Sequence, residues 1–178
     1  MTVYTAVLFL HLVGALLLFM AFAVEWVVQG RVRSSATLAE ALPWLKAGRV
    51  VPMLGALGGV GVFIPGLYLA AKASLWNEAW IQAAMTAAIV IALLGLAFTS
   101  PRMRALARAA MSGDQSVPDA ARRLRDPAVV YSLRIRAALG LGALYLMAAK
   151  PPLMATLVTM GLALVLGVVM SVVASAKQ

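Results

Sequence analysis

Four ionisable residues stand inside long apolar stretches of this chain and are the candidates for chemistry. His11 and Glu25 lie in the first stretch, and Arg134 and Arg136 lie in the fourth. A charged side chain at the centre of a bilayer costs about 2.5–3.5 kcal/mol even on lenient insertion scales, so each of these residues requires a partner or a function. The chain has one histidine and no cysteine, which excludes disulfides, thiolate metal ligands and cysteine nucleophiles.

The spacing of these residues predicts which of them meet. Fourteen positions separate His11 from Glu25, so the two share a helix face and lie about 21 Å apart along the axis. Arg134 and Arg136 point to opposite faces, because two positions on a helix span roughly 200°. One arginine is expected to reach the cytoplasmic interface, and the other to form a structural ion pair with Glu25. A proton or cation relay through Glu25 is the alternative.

His11 could bind a metal-centred cofactor. A neutral imidazole ligates haem iron or copper and also carries protons near neutral pH. The alternative is a packing histidine that forms a hydrogen bond across a helix interface. Lys150, before Pro151 and Pro152, could place a cation beside an anionic group such as a haem propionate, or it could form an ordinary interfacial turn. Methionines expected in the same half of the membrane could supply soft thioether ligands, namely Met85, Met147, Met154 and Met160.

Long apolar stretches position all of these residues. Hydrophobic residues make up 63% of the chain and charged residues 12%, far from the composition of a soluble domain. A bilayer core of about 30 Å needs about 20 mostly apolar helical residues. Five stretches meet this requirement: 4–29, 50–71, 79–99, 127–149 and 153–175. We therefore expect an all-α, polytopic membrane protein that forms one domain over residues 1–178.

The basic residues predict the orientation of the chain. The net charge is +9. Most lysines and arginines lie in two connections, the one between stretches one and two and the one between stretches three and four. Lysine and arginine concentrate in short loops on the cytoplasmic side. The N-terminus is therefore expected outside and the C-terminus in the cytoplasm of a bacterial inner membrane. Trp76 and Trp80, in the short outer connection, are expected to anchor the chain at the membrane interface.

The long basic connection, residues 100–126, is expected to be a cytoplasmic loop. It serves mainly as a topology signal that anionic lipid head groups also attract, and docking of a partner is the alternative. No aromatic residue interleaves its arginines to stack bases, so nucleic-acid binding is not expected. We expect two short helices in this loop, the second beginning at Pro118, and a fourth span that begins at an Asp126-Pro127 cap.

Small residues predict close packing of the helices, either within the bundle or between copies in a homo-oligomer. Pairs spaced four positions apart are Gly55 with Gly59, Ala138 with Gly142, and Ala163 with Gly167. Pro65 lies in the second stretch and has no N–H, so the carbonyl of Gly61 should lack its helical partner. This predicts either a hinge for transport or a static bend around a bound cofactor.

No signature of a soluble enzyme occurs in the chain. The sequence contains no Walker loop and no HExxH, GxSxG or CxxC motif. Hydrolase, kinase and thiol-redox functions are excluded on this ground, and no catalytic residue is assigned. We therefore do not expect enzymatic activity from the chain on its own.

Two segments resemble a known group of membrane proteins. The run Leu10–Ala15 (LHLVGA) resembles the opening helix of the bacterial copper-resistance D-like proteins and of uncharacterised integral membrane proteins near them. Arg134 and Arg136, followed by Leu146–Pro151 (LMAAKP), resemble that group's arginine-bearing helix and its Met-x-x-Lys-Pro turn. The resemblance implies a membrane-embedded site around His11, with b-type haem as in a related membrane protoporphyrinogen oxidase. This chain departs from a bis-histidine pattern because it has no second histidine, which leaves ligation by histidine and methionine, or five-coordinate ligation by histidine alone, as the alternatives.

Three functions compete on the sequence alone. The leading one is a small inner-membrane accessory or subunit of a redox assembly, with haem b or copper bound near His11 by ligands such as Met147 and Met154. The second is a transporter or channel for an ion or small solute that uses Glu25. The third is a structural subunit whose glycine faces bind partner helices or a second copy of the chain.

Overall fold

The structure is a computed structural model that describes residues 2–112 and 124–176. Every regular element in these two ranges is a helix. In chain order the helices are α1 (Val3–Ser34), α2 (Leu38–Ala47), α3 (Val51–Lys72), α4 (Ala79–Leu94), α5 (Ser100–Ser112), α6 (Pro127–Ala149) and α7 (Leu153–Ala176). A 3₁₀ turn, Gly48–Val50, joins α2 to α3, and a π-helical turn, Gly95–Thr99, joins α4 to α5.

Five helical segments are long and apolar enough to span a bilayer, which confirms the prediction of an all-helical chain with five such segments for the described residues. These segments are Val3–Ser34, Leu38–Lys72, Ala79–Met111, Pro127–Ala149 and Leu153–Ser175. Their outward surfaces carry apolar side chains such as those of Leu16, Leu96 and Leu162, which are 68%, 71% and 63% exposed. Apolar surface on this scale fits contact with the lipid of a bilayer.

The first of the two short helices expected in residues 100–126 is α5, and it follows the third span without a break. Helix α5 continues that span through the π-helical turn, so Ala79–Met111 forms one helical segment. The reason is amphipathic packing, since the buried side chains of Leu106 and Ala110 on α5 meet Leu38 of α2 at one end of the bundle. The second short helix, expected from Pro118, lies outside the described residues.

A layer of helical extensions therefore covers the end of the bundle where the basic connections lie. Helix α1 runs to Ser34, beyond the predicted boundary at residue 29, and α2 is an additional element that the hydrophobic spacing did not reveal. Buried Val28 and Val32 of α1 pack with Ala41 and Leu45 of α2. The extensions thus share one buried apolar cluster at this end of the bundle.

Helix α6 begins at the Asp126-Pro127 pair, as the sequence predicts. The Asp126 carboxylate accepts a hydrogen bond from the Ala128 N–H at 2.9 Å, and Pro127 occupies the first turn, where a missing N–H leaves no helical bond unmade. The helix ends at Ala149, and the next residue, Lys150, caps it with a left-handed backbone (φ 47°) and an N–H that donates to the Leu146 carbonyl at 2.9 Å. The proline after Lys150 cannot continue the helix.

Helices α1 and α3 pack backbone against backbone through glycines. A Cβ added at Gly58 would lie 2.6 Å from the Leu18 nitrogen, and one added at Gly61 would lie 2.8 Å from the Gly14 Cα. A side chain cannot occupy such a space unless the backbones separate. Gly14, Gly58 and Gly61 are therefore the residues that set the distance between α1 and α3.

Gly55 and Gly59 were predicted to form the packing face of α3. Within the chain this prediction is wrong, because a different row of glycines faces the neighbouring helix. A Cβ at either position would meet no atom of the described residues within 4 Å. The helix is rotated so that Gly58 and Gly61 face α1, and this rotation turns the Gly55–Gly59 row away from it. Contact of that row with a second copy stays a prediction.

The other two small-residue pairs pack on each other, which confirms that part of the prediction. A Cβ at Gly142 of α6 would lie 3.1 Å from the Ala163 Cβ of α7. A Cβ at Gly167 of α7 would lie 2.9 Å from the Ile135 Cα and 3.3 Å from the Ala138 Cβ of α6. The two helices thus approach closely along both pairs, and this contact sets the rotation of α6 in the bundle.

The two tryptophans at the short connection between α3 and α4 have different environments. Trp76 is 43% exposed, as an interfacial anchor requires, whereas Trp80 is 5% exposed. Trp80 packs with Ala70, Ile81 and Leu146 in an apolar cluster between helices. The expectation that Trp80 sits among lipid head groups is therefore wrong, because its indole fills the space between α3, α4 and α6.

Candidate functional site

A buried ion pair joins Glu25 of α1 to Arg136 of α6. The Nη2 atom of Arg136 donates to Oε1 of Glu25 at 2.5 Å, and the side chains of Arg136 and Glu25 are only 8% and 5% exposed. The sequence left open which arginine pairs with the carboxylate, and the structure selects Arg136. The attraction between the two opposite charges offsets much of the free-energy cost of placing each of them in the membrane.

Two further side chains bind the ion pair. Gln29, one turn after Glu25 on α1, donates from Nε2 to the same Oε1 atom at 2.9 Å. Arg136 also donates from Nη2 to the hydroxyl of Thr99 at 3.1 Å, and Thr99 is the last residue of the π-helical turn. The ion pair thus connects α1, α6 and the third span in one hydrogen-bonded cluster.

Ser132 completes this buried cluster. Its Oγ accepts from the Thr99 hydroxyl at 2.9 Å and donates to the Leu94 carbonyl at 3.2 Å, while its own carbonyl accepts from Arg136 Nε at 3.2 Å. A Cβ at Gly95 would lie 3.3 Å from Arg136 Nη1, so glycine at this position leaves room for the guanidinium. A hydrogen-bonded cluster of this kind stabilises the arrangement of three helices. A relay through Glu25 stays a prediction.

Arg134 has a separate set of contacts. Its Nε donates to the Met170 carbonyl of α7 at 3.2 Å, and its guanidinium carbon lies 4.5 Å from the ring centre of Trp26. The residue is partly exposed at the end of the bundle where α1 ends. The opposite orientation of Arg134 and Arg136 is the one predicted from their spacing.

His11 binds α3 through a backbone carbonyl. Its Nδ1 lies 2.9 Å from the Val62 carbonyl oxygen. A carbonyl can only accept, so Nδ1 carries the hydrogen, and a neutral ring then has its lone pair on Nε2. Nε2 makes no hydrogen bond to any described residue. It is also not buried, because the single buried and unpaired side-chain nitrogen or oxygen of the described residues belongs to Arg33. The ring therefore presents an available electron pair at the surface between α1 and α3.

Two residues of α3 shape the space for the imidazole. A Cβ at Gly66 would lie 3.1 Å from the His11 Cε1 atom, so any larger residue here would press on the ring and shift it by a few tenths of an ångström. Pro65 lies inside α3, which continues as a helix to Lys72. Proline has no N–H, so it cannot donate to the carbonyl one turn before it. Side chains from neighbouring helices commonly bind the backbone groups that are left free near such a position. Motion about Pro65 stays a prediction.

The other predicted ligands lie in different surroundings. Met147 packs against the cluster that contains Trp80 and Leu146, and the Lys150 Nζ atom lies 5.9 Å from the Trp80 ring centre. Met154 at the start of α7 is 73% exposed. Within residues 2–112 and 124–176, no group of three or more His, Asp or Glu side chains could hold a metal ion. The contacts of His11 are to α3, whereas those of Met147 and Lys150 are to the Trp80 cluster.

Comparisons with protein-family models, with curated proteins and with solved structures give no significant match. The resemblance to copper-resistance D-like proteins therefore depends on the short motifs alone and stays a hypothesis. The class that the fold itself defines is a helical membrane protein with five segments that can span a bilayer.

Several residues of the two sites were not identified from the sequence. Gln29 stands four positions after Glu25, and Ser132 stands four positions before Arg136, so both share a helix face with a buried charge. This spacing was a usable signal, because helical residues four apart are neighbours. The roles of Thr99 and Gly66 depend on the packing of separate helices, and no local pattern reveals them.

Proposed function

We propose that this protein is an accessory subunit of a redox assembly in the bacterial inner membrane, in which His11 Nε2 ligates haem iron or copper. The N-terminus lies outside and the C-terminus in the cytoplasm, so His11 belongs to the outer half of the membrane. The bound group would supply one-electron chemistry, and the chain would supply the ligand and its orientation.

The observation that carries this proposal is the hydrogen bond from His11 Nδ1–H to the Val62 carbonyl. Histidines that bind metals usually donate their other ring N–H to a carbonyl or carboxylate, which fixes the tautomer and orients the ring. Gly66 gives the ring its space, and no described residue bonds Nε2. His11 thus has the fixed orientation and the available electron pair that a metal ligand needs.

The donor set within one copy fits a single imidazole ligand. The chain has one histidine and no cysteine, so further protein ligands must be thioethers or come from another subunit. Met154 is exposed near the outer end of α7, and a partner could reach it. Met147 and Lys150 would first have to leave their contacts in the Trp80 cluster. These positions of the candidate ligands agree with an accessory subunit that shares its metal with a partner.

The proposal is tested on protein purified from its native membrane without a histidine tag. A visible absorption spectrum and metal analysis of the same sample are measured for the wild type, for His11→Ala and for the neighbouring surface variant Leu12→Ala. We expect a Soret band or stoichiometric copper in the wild type and in Leu12→Ala, and its loss in His11→Ala. Equal occupancy in all three proteins, or no haem and no copper in the wild type, contradicts the proposal.

A second candidate is transport of an ion or small solute, favoured by the contact of the buried Glu25–Arg136 pair with Thr99 of the π-helical turn. Short π-helical segments are frequent at functional sites. Proteoliposome flux that is lost in Glu25→Gln, with protein of wild-type helical content, supports this role. Flux that is independent of Glu25 removes that residue from any transport pathway.

A further inference from the structure

A cleft with several arginines opens at the end of the bundle where α1 ends and α6 begins. Its volume is about 360 Å³, and it lies between the last turns of α1, the first turns of α6 and the end of α7. The polar and aromatic side chains around it include Trp26, Arg33, Arg125 and Arg134, and its apolar wall includes Val130 and Leu133. The proposed ligand at His11 does not involve any of these residues.

The cleft contains positive charge without a bonded counter-ion. Arg33, Arg125 and Arg134 all line it, and no carboxylate of the described residues forms a salt bridge with any of the three. The nearby carboxylate of Asp126 is occupied by Arg102 at 3.1 Å and by the cap of α6. Three neighbouring guanidinium groups repel one another, so an anion bound between them would lower the energy of this arrangement.

One guanidinium nitrogen of the cleft is both buried and unpaired. The Nη1 atom of Arg33 is the single buried side-chain nitrogen or oxygen of the described residues that has no hydrogen-bond partner. Leaving a charged donor buried and unsatisfied is costly, and such groups in native proteins call for an explanation such as an unseen ion. The explanation that fits the surrounding charge is an anion that accepts from Arg33.

The shape and surroundings of the cleft indicate the kind of anion. The planar fork of arginine matches the oxygens of a phosphate, which it binds by two parallel hydrogen bonds. The wall formed by Val130, Leu133 and Ala174 is apolar, and it adjoins the lipid-facing surface of α7. A phosphate ester that carries an apolar chain would place its charge at the arginines and its chain along this wall.

We propose that the cleft binds a phosphate-ester anion between Arg33 and Arg125, and that its source is the head group of an anionic phospholipid. The cleft lies at the end with the basic connections, which the positive-inside rule assigns to the cytoplasm. Basic pockets between membrane helices on that side bind anionic head groups. The ligand would hold α1 and α6 together and supply the missing acceptor for Arg33.

A glycine provides a way to fill the cleft without altering its charge. Gly30 lines the cleft, and a Cβ at this position would meet no atom of the described residues within 4 Å. Gly30→Trp should therefore occupy the cleft while leaving the helix packing intact. Gly161 of α7 is equally free of neighbours but lies away from the cleft, so Gly161→Trp is the matched control.

The test measures ligand-induced shifts in the thermal unfolding of delipidated protein in neutral detergent. The probes are short-chain phosphatidylglycerol, the zwitterionic phosphatidylcholine of the same chain length, glycerol phosphate and inorganic phosphate. The variants are Arg33→Gln, Arg125→Gln and Gly30→Trp. The controls are Gly161→Trp and Arg104→Gln, the latter removing an exposed arginine of α5 that lies outside the cleft. Circular dichroism verifies that every variant retains the wild-type helical content.

We expect phosphatidylglycerol, but not phosphatidylcholine, to raise the unfolding temperature of the wild type and of both controls. Each cleft variant should weaken the apparent affinity about tenfold or more, the effect expected for the loss of a hydrogen bond between charged groups or of the space for the ligand. An equal response to inorganic phosphate or glycerol phosphate supports the phosphate site but assigns a soluble source. A phosphatidylglycerol response that is unchanged in all three cleft variants, or is absent from the wild type, overturns the proposal.

Discussion

Arg136 Nη2 lies 2.5 Å from Oε1 of Glu25, although 111 positions separate the two residues in the chain. This contact joins the first helix to the sixth, and through Thr99 it also includes the third span. Both charges are nearly inaccessible in a region where water cannot solvate them. One buried ion pair therefore joins three helical segments, and removal of either residue alone is expected to lower stability.

The first prediction concerns this ion pair. Arg136→Met should lower the free energy of unfolding by about 3–5 kcal/mol, because it leaves the Glu25 carboxylate buried without its counter-charge. The double variant Glu25→Leu/Arg136→Met should recover most of that loss, since no isolated charge remains. Unfolding by denaturing detergent in mixed micelles, followed by circular dichroism, measures both values.

Arg104→Met is the control for this experiment. It removes an exposed arginine with no hydrogen bond to a described residue, so it should change the free energy of unfolding by no more than about 0.5 kcal/mol. If the double variant is as unstable as Arg136→Met, the loss comes from packing rather than from the unpaired carboxylate.

The ion pair also illustrates what could be predicted from the sequence. The cost of a charge in the membrane predicts that Glu25 has a basic partner at a similar depth, and the chain offers two. The spacing of Arg134 and Arg136 separates their directions but does not fix the rotation of α6. Close contact of Gly142 with α7 and of Gly167 with α6 sets that rotation, and this contact is a property of two packed helices rather than of one segment.

The glycines of α3 show the same limit. A GxxxG pattern identifies a helix that can pack closely, but α3 contains several glycines, and the partner helix decides which row is used. Gly14 of α1 selects Gly58 and Gly61, and the spacing within α3 contains no information about Gly14. The two ends of α6 could be predicted from the sequence, because the Asp126 cap and the end of the helix before Lys150 each depend on adjacent residues.

The second prediction concerns which glycines of α3 face α1. Gly58→Ala should lower the free energy of unfolding by about 1–3 kcal/mol, because its methyl group would overlap the backbone of Leu18. Gly59→Ala should be neutral or stabilising by up to about 1 kcal/mol, because its methyl group meets open space and alanine favours a helix. Thermal unfolding of the two variants in the same detergent makes the comparison.

Size-exclusion chromatography of these two variants adds a second measurement. A change of oligomeric state in Gly59→Ala alone would assign the Gly55–Gly59 row to a contact between copies. Equal destabilisation of Gly58→Ala and Gly59→Ala would contradict the packing of α3 on α1 described above.

The third prediction separates two roles of Asp126. Asp126→Ala should lower the free energy of unfolding by about 1–2 kcal/mol, since it removes the helix cap and the ion pair with Arg102. Asp126→Asn should cost less than about 1 kcal/mol, because asparagine caps a helix nearly as well and only the ion pair is lost. Added salt should reduce the difference between Asp126→Asn and the wild type, because the pair is partly exposed. A loss in Asp126→Asn equal to that in Asp126→Ala would assign the whole effect to the charge.

The fourth prediction concerns the tautomer of His11. The chain contains one histidine, so the imidazole ¹⁵N signals of untagged, labelled protein belong to His11. Because Nδ1 donates to the Val62 carbonyl, metal-free protein at a pH where the ring is neutral should show a protonated Nδ1 and an unprotonated Nε2. A protonated Nε2 under these conditions would contradict the assigned hydrogen bond and, with it, the electron pair on which metal ligation depends.

Gly66→Ala tests whether α3 holds this tautomer. The added methyl group would lie 3.1 Å from His11 Cε1, so the ring must move and its bond to Val62 should lengthen. The expected result is a shift of the Nδ1 signal towards that of a solvent-exposed histidine, whereas Gly161→Ala, with open space at its Cβ, should leave the spectrum unchanged. If both variants retain the wild-type spectrum, the imidazole is held by something other than the space at Gly66. If both change it equally, the effect is a general response of the bundle and not a property of the α1–α3 contact.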